Sequence, residues 1–212
     1  MPAGLRLFSL AAVCFTNLLI GLRYCWQIRR RAIQPALAMW VFFTIAAVGS
    51  LLTYLGEREH GLLDNILNAS DIVLVGCVAL FIACCGERGS RFTRVDAGCL
   101  LAVVMIMLGW AVTHHHVAAH ALIQAVMVIA YVPVVRRIWV SKRNTESFTM
   151  WIGLVLAPAV SLLSGRGTVA MVYALRAMAC PAALLLLMLR AERTAGSGAA
   201  PPTRDPSHAA SG

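Results

Sequence analysis

An all-α polytopic membrane protein of seven transmembrane helices in a 3+1+3 parallel-repeat arrangement is predicted by three features of the chain. These are seven long apolar stretches, basic residues confined to alternate loops, and a motif that recurs 107 residues on. Sixty per cent of the residues are hydrophobic, 13% are charged and the mean hydropathy is +0.78. Such a composition leaves too little polar surface to cover a water-soluble globule of 212 residues. The stretches run Leu5 to Leu22, Gln34 to Leu55, Leu67 to Cys85, Val95 to Val112, Val117 to Val135, Phe148 to Leu163 and Thr168 to Leu189. Each approaches the ~20 apolar residues that let a helix cross a bilayer with its backbone donors and acceptors satisfied internally.

The formal charge of +9 does not point to nucleic acid, because its distribution follows the loops. Arg23, Arg29, Arg30 and Arg31 follow the first stretch, Arg88, Arg91 and Arg94 the third, Arg136, Arg137, Lys142 and Arg143 the fifth, and Arg190 and Arg193 the seventh. The intervening loops hold Arg58 and Arg166 beside Glu57, Glu59 and Asp64. The positive-inside rule then puts the amino terminus outside and the carboxyl terminus in the cytosol, Arg6 being outweighed by the four arginines after the first stretch. A plasma membrane of the bacterial inner-membrane type is the expected location. The basic flank follows the first apolar run and no small-x-small site precedes it, which argues against a cleaved signal peptide. The seven cysteines lie inside or at the cytosolic ends of apolar stretches, so a disulfide framework is not expected.

Tyr24-Cys25-Trp26-Gln27-Ile28-Arg29-Arg30 is echoed by Tyr131-Val132-Pro133-Val134-Val135-Arg136-Arg137. At the same offset Asn17 falls on Gln124, and at an offset of 111 Met39-Trp40 falls on Met150-Trp151 and Ser50 on Ser161. Self-similarity at a fixed spacing is the trace of a duplicated unit. The expected organisation is a first three-helix repeat over 1–86, a linker helix over 87–113, a second repeat over 114–190 and a disordered cytosolic tail over 191–212. An odd linker helix lets both repeats insert the same way up, related by an axis along the membrane normal.

The stretch from Gln124 to Trp151, with Tyr131-Val132-Pro133-Val134, the basic run and Ser141-Lys142-Arg143-Asn144-Thr145-Glu146-Ser147-Phe148, resembles the PQ-loop motif of the PQ-loop and SWEET transporter superfamily. In that family a Pro-Gln pair ends the first helix of each triplet on the cytosolic side. This chain splits the pair, keeping Gln27 in the first copy and Pro133 in the second. The resemblance implies a transporter of sugars or amino acids, with Gln27, Pro133 and Pro158 as motif or hinge positions. The departures are that the first stretch has no proline and Pro35 only opens the second, which puts symmetric hinging in doubt.

Several polar groups stand where chemistry would need them. Arg176 lies about 12 Å into the seventh helix at ~1.5 Å per residue, where an unpaired charge costs several kcal/mol. Asp71, on a stripe with Asp64 and Asn68, is the expected partner, either as a structural ion pair or in substrate or proton handling. Asn17 and Gln124 offer donors and acceptors to a solute, or hydrogen bonds between helices. Tyr24, Tyr131, Trp40 and Trp151 recur in both halves and either stack on a solute or belong to an interfacial aromatic belt. His116 and His120 share a helix face; with Glu57, Glu59, His60 or Asp64 they would suit zinc, and without it they form an interfacial cluster.

The leading expectation is therefore a transporter moving a small polar solute by alternating access, with the lipid bilayer and the solute as partners and no cofactor. Self-association into a homo-oligomer is left open. The alternatives are a receptor or assembly protein on the same scaffold and an outward-facing histidine-metal hydrolase. The single lysine, Lys142, lies in a loop, and no catalytic serine elbow, phosphate-binding glycine loop or carboxylate pair marks an enzyme. Reporter cysteines added at the two ends, probed with an impermeant thiol reagent on intact cells, should react only at the amino-terminal side. Reaction of both ends from one side would overturn the odd number of crossings.

Overall fold

Long runs of Leu, Ala, Val and Ile without interior glycine or proline clusters propagate as helix, and every described element is helical. A computed structural model describes residues 3–33, 35, 37–56, 61–85, 94–141, 144 and 146–197, with the backbone alone at 96, 133, 137, 141 and 195–197. The elements are α1 (Ala3–Arg29), α2 (Leu37–Leu55), a 3-10 turn (Leu62–Asn65), α3 (Ile66–Cys85), α4 (Arg94–Thr113), α5 (His116–Ile129), α6 (Val132–Ser141), α7 (Phe148–Ser161) and α8 (Gly167–Ser197). Among the described residues, five helices are long and apolar enough to cross a membrane, α5 and α6 counting as one. Two further apolar helices, α4 over Ala97–Thr113 and α7, are shorter. The expected cytosolic tail lies largely outside the described residues, and α8 runs on through its first positions to Ser197.

Local chemistry explains the ends. After α1 the Ala32 N–H returns to the Gln27 carbonyl at 3.0 Å and the Arg31 N–H to the Ile28 carbonyl at 2.9 Å, with Arg31 at φ 56°. That is a Schellman closure with arginine in the left-handed position that glycine usually fills. Pro133 has no amide hydrogen for the Ile129 carbonyl, and α5 stops there. The chain turns through a Tyr131 N–H to Val128 carbonyl bond of 3.1 Å and resumes as α6. Ser147 caps α7, its hydroxyl accepting from the Met150 N–H at 3.4 Å.

The principal contacts follow a repeated scheme. Helix α1 packs on α3, and α3 on α2; α5 packs on α8, and α8 on α7. Across the middle, α1 meets α7 and α2 meets α5, while α4 lies against α2 and α5. The core contains two similar aromatic pairs. Tyr24 and Trp40 have ring centroids 5.2 Å apart at 54°, and Tyr131 and Trp151 are 5.9 Å apart at 59°. Both copies of the sequence echo thus make the same contact. All four rings are buried, which corrects the expectation of an aromatic belt for them. Trp26 and Trp139, 43% and 58% exposed, fill that description instead: Arg30 and Arg23 lie over Trp26 and Arg190 over Trp139.

The outward faces are apolar, with Leu7, Phe8, Phe15, Leu80, Val140 and Leu186 all exposed. In water such a surface would drive association; it is compatible with a membrane location. Glycine permits a close crossing where α7 meets α1. A β-carbon on Gly153 of α7 would overlap the β-branched side chain of Ile20 on α1, which has little rotamer freedom to yield. Gly153→Leu should cost about 1–3 kcal/mol through overpacking, read as a lower melting temperature of the detergent-purified protein. Gly109→Ala, at a position with open space around it, should leave that temperature unchanged or raise it by the better helix propensity.

Candidate functional site

Where α1, α3, α5 and α8 converge, the side chains turn polar. Asn17 of α1 donates through Nδ2 to Asp71 Oδ1 at 2.8 Å and to Ser70 Oγ at 2.9 Å. The other carboxylate oxygen, Oδ2, accepts from the Tyr173 hydroxyl of α8 at 2.9 Å. Asp71 is 8% exposed and both of its oxygens accept, the pattern that suits an ionised carboxylate. One turn on from Tyr173, Arg176 donates through Nε to Gln124 Oε1 of α5 at 2.9 Å. The two amides matched by the sequence echo thus each serve one charge: Asn17 gives its donor end to the carboxylate, Gln124 its acceptor end to the guanidinium.

The direct Asp71–Arg176 ion pair expected from the sequence does not form among the described residues. Tyr173 stands between them, its hydroxyl on Asp71 and its ring under the Arg176 guanidinium, 4.8 Å from the centroid. The stripe on α3 and the depth of Arg176 were readable as spacing. The insertion of an aromatic ring one helical turn away was not, because spacing gives the face of a helix and not the rotamer of its neighbour.

Ser50 of α2 anchors the Gln124 side. Gln124 Nε2 donates to Ser50 Oγ at 2.9 Å, and the Asn68 amide of α3 meets the same oxygen at 3.1 Å. Turning that amide so that its nitrogen donates to the Ala47 carbonyl, also at 3.1 Å, satisfies both of its ends. His120 Nδ1 lies 3.2 Å from the Ser50 carbonyl oxygen and 3.4 Å from Thr53 Oγ1. Ser50, Asn68, Ser70 and Tyr173 were not among the expected site residues. The signal for them was present, since each is a hydroxyl or amide inside an apolar helix and Tyr173 sits one turn before Arg176.

A cavity of about 40 Å³ lies beside this network and is lined by Asp71, Arg176, Trp40, Trp151, Tyr131 and Tyr173 with apolar neighbours. Both indole nitrogens, on Trp40 and Trp151, are buried without a hydrogen-bond partner among the described residues. Leu154 and Ala177 also line it, each four residues before a proline of the same helix, Pro158 and Pro181. Proline lacks the amide hydrogen those two carbonyls would otherwise receive at i+4. The cavity is therefore bordered by charge of both signs and by residues that carry spare donors and acceptors.

Other expected positions fall elsewhere. Tyr24 reaches Glu146 with its hydroxyl at 3.4 Å. Glu146 is 5% exposed in the loop before α7 and was quoted in the PQ-loop-like stretch without a role. Gln27 holds its carbonyl in the α1 closure, and its side-chain oxygen is buried without a partner. Pro158 is buried within α7, its carbonyl accepting from the Ser161 hydroxyl at 2.7 Å. Of Pro133 the backbone alone is described. His116 and His120 are engaged separately: His116 Nδ1 accepts from Trp110 Nε1 at 2.8 Å, while His120 is buried against α2. No group of three or more His, Cys, Asp or Glu side chains suited to a metal occurs among the described residues, and Glu57, Glu59 and His60 lie outside them.

The end of the bundle that carries Asp64 is held by charge. Asp64 Oδ1 accepts from Arg6 Nη2 at 2.8 Å and lies 3.6 Å from Arg166 Nε, and the Asp64 carbonyl accepts from the Arg166 N–H at 3.0 Å. Ser9 ties α1 to the α7–α8 turn through Ser164 Oγ and the Val160 carbonyl, both at 2.8 Å. Compared with protein-family models, curated proteins and solved structures, the chain matches none. The residues themselves carry the functional reading.

Gln124→Leu removes the acceptor of the Arg176 Nε hydrogen bond, and should cost about 1.5–3 kcal/mol as a lost hydrogen bond to a charged group. Gln124→Glu, which keeps an acceptor there, should lose less. Thermal unfolding of both variants in detergent checks the order.

Proposed function

We propose that this chain is a seven-helix transporter in which two triplets, α1 to α3 and α5 to α8, joined by α4, rock about the central cavity and pass a small polar solute of the sugar or amino-acid class. The observation that carries the reading is the cavity itself, a mainly apolar space with Asp71 and Arg176 in its wall, bordered by position-matched residues of the two proposed halves, Trp40 with Trp151 and Phe43 with Leu154. A protein that only needed to span the membrane has no use for charges and unpartnered donors at such a depth, where each is costly. The repeated contact scheme and the paired Tyr–Trp contacts support the parallel duplication, and the split PQ-loop motif is part of the same proposal.

Alternating access requires barriers on both sides of the site. The Arg6–Asp64–Arg166 cluster is suited to the outer one, because it joins the start of α1 to the turn before α8 and so crosses between the triplets. The Tyr24–Glu146 contact is suited to the inner one, since it joins the end of α1 to the loop before α7. Loop charges support an amino terminus outside, a carboxyl terminus in the cytosol and a plasma-membrane location. The engagement of His116 by Trp110 and of His120 by α2 favours transport over a histidine-metal hydrolase.

Purified protein in liposomes should take up at least one labelled sugar or amino acid down its gradient, and Arg176→Leu should abolish uptake while inserting normally. Absence of flux across a broad panel with folded protein would remove transport and favour the receptor reading.

A further inference from the structure

The two charges at the cavity are its unusual feature. Asp71 and Arg176 border one small space, yet among the described residues they form no direct ion pair. Asp71 is buried and Arg176 half-buried, and the hydrogen-bond partners of each are neutral, Asn17 and Tyr173 for the one, Gln124 for the other, so part of the cost of taking each charge out of water stands. A guest that carries one charge of each sign removes both penalties at once. A neutral polyol removes neither, and a simple anion or cation leaves one standing.

The neutral groups sort in the same way. Spare donors come from the buried indole nitrogens of Trp40 and Trp151, and spare acceptors from the Leu154 and Ala177 carbonyls that Pro158 and Pro181 deprive of their i+4 amides. Donors complement a carboxylate, and carbonyls complement an ammonium. The space itself is small. About 40 Å³ holds roughly three waters at ~10–15 Å³ each, which sets the scale at a solute of few heavy atoms.

We infer that the central cavity selects a small zwitterion of the glycine or alanine class, its ammonium at Asp71 and the proline-freed carbonyls, its carboxylate at Arg176 and the indole N–H groups. The inference rests on the transport reading for its biological sense, but it concerns binding and is tested by binding. The melting temperature of the full-length protein in detergent is followed against glycine, alanine, propionate, ethylamine, alaninamide, glycerol and glucose. A ligand that binds the native state alone raises it.

Glycine or alanine should raise it at concentrations where the half-molecules and the polyols do not. Trp40→Phe and Trp151→Phe remove the indole N–H donors together with part of a buried ring system. Each should lower the ligand-free melting temperature through the lost packing, and in addition shift the zwitterion response, measured against that variant's own ligand-free value, to about tenfold higher concentration, as for one hydrogen bond to a charged group; an undiminished response in both variants overturns the indole part of the assignment. Equal stabilisation by glucose, glycerol, propionate or ethylamine, or no response to either zwitterion, overturns the inference. Uptake of sugar without zwitterion binding would sink this inference and leave transport standing. Zwitterion binding without uptake of any solute would do the reverse.

Discussion

Polar groups inside an apolar bundle must find their partners on other helices, and this requirement orders the interior of the protein. Between apolar helices in lipid, packing of one Leu-rich face against another discriminates poorly among rotations, because the lipid chains are as apolar as the side chains. A carboxylate that must reach an amide and a phenol at once allows very few. Asp71 sets α3 against α1 through Asn17 and against α8 through Tyr173. Arg176 then sets α8 against α5 through Gln124, and Ser50 brings in α2. The helices around the cavity are thus held in rotation by one chain of hydrogen bonds.

The same chain keeps the two charges apart. With the Tyr173 ring under the guanidinium and its hydroxyl on the carboxylate, Asp71 and Arg176 are oriented without being paired. An ion pair formed directly between them would satisfy both and leave little for a solute to gain. On the reading proposed above, holding them separately leaves them complementary to a guest at the small cavity beside them. Preparation of this kind is costly to stability, which is the usual mark of a functional position in an apolar interior.

The two ends of the bundle are closed by different chemistry. Where Asp64 lies, a carboxylate between two arginines crosses from the first half to the second, and serine hydroxyls accompany it. At the other end an aromatic hydroxyl meets a buried glutamate, with the Tyr–Trp pairs packed behind. Exposed ion clusters are weakened by salt, whereas buried aromatic contacts are not, so barriers of these two kinds would respond to different conditions. Proline is absent from α1 and α3, whereas α7 and α8 carry Pro158 and Pro181, which lack the amide hydrogen that the carbonyl four residues before each would otherwise receive.

Hydropathy alone determined that the chain is helical and where its helices run, since a backbone without water as a partner has to bond within its own segment. The order of residues also showed an echo, Tyr24 with Tyr131 and Trp40 with Trp151, and singled out Asn17, Asp71, Gln124 and Arg176 as costly residues in need of partners. Which partner each one takes was decided by tertiary structure, because a period of 3.6 residues assigns a side chain to a face and says nothing of the rotamers on the opposing helix. Hence Tyr173 stands where a salt bridge was expected, the Tyr–Trp pairs are core and not belt, and His116 and His120 turn to separate neighbours. The shared cavity, made by residues from Trp40 to Pro181, exists only once distant segments are packed together.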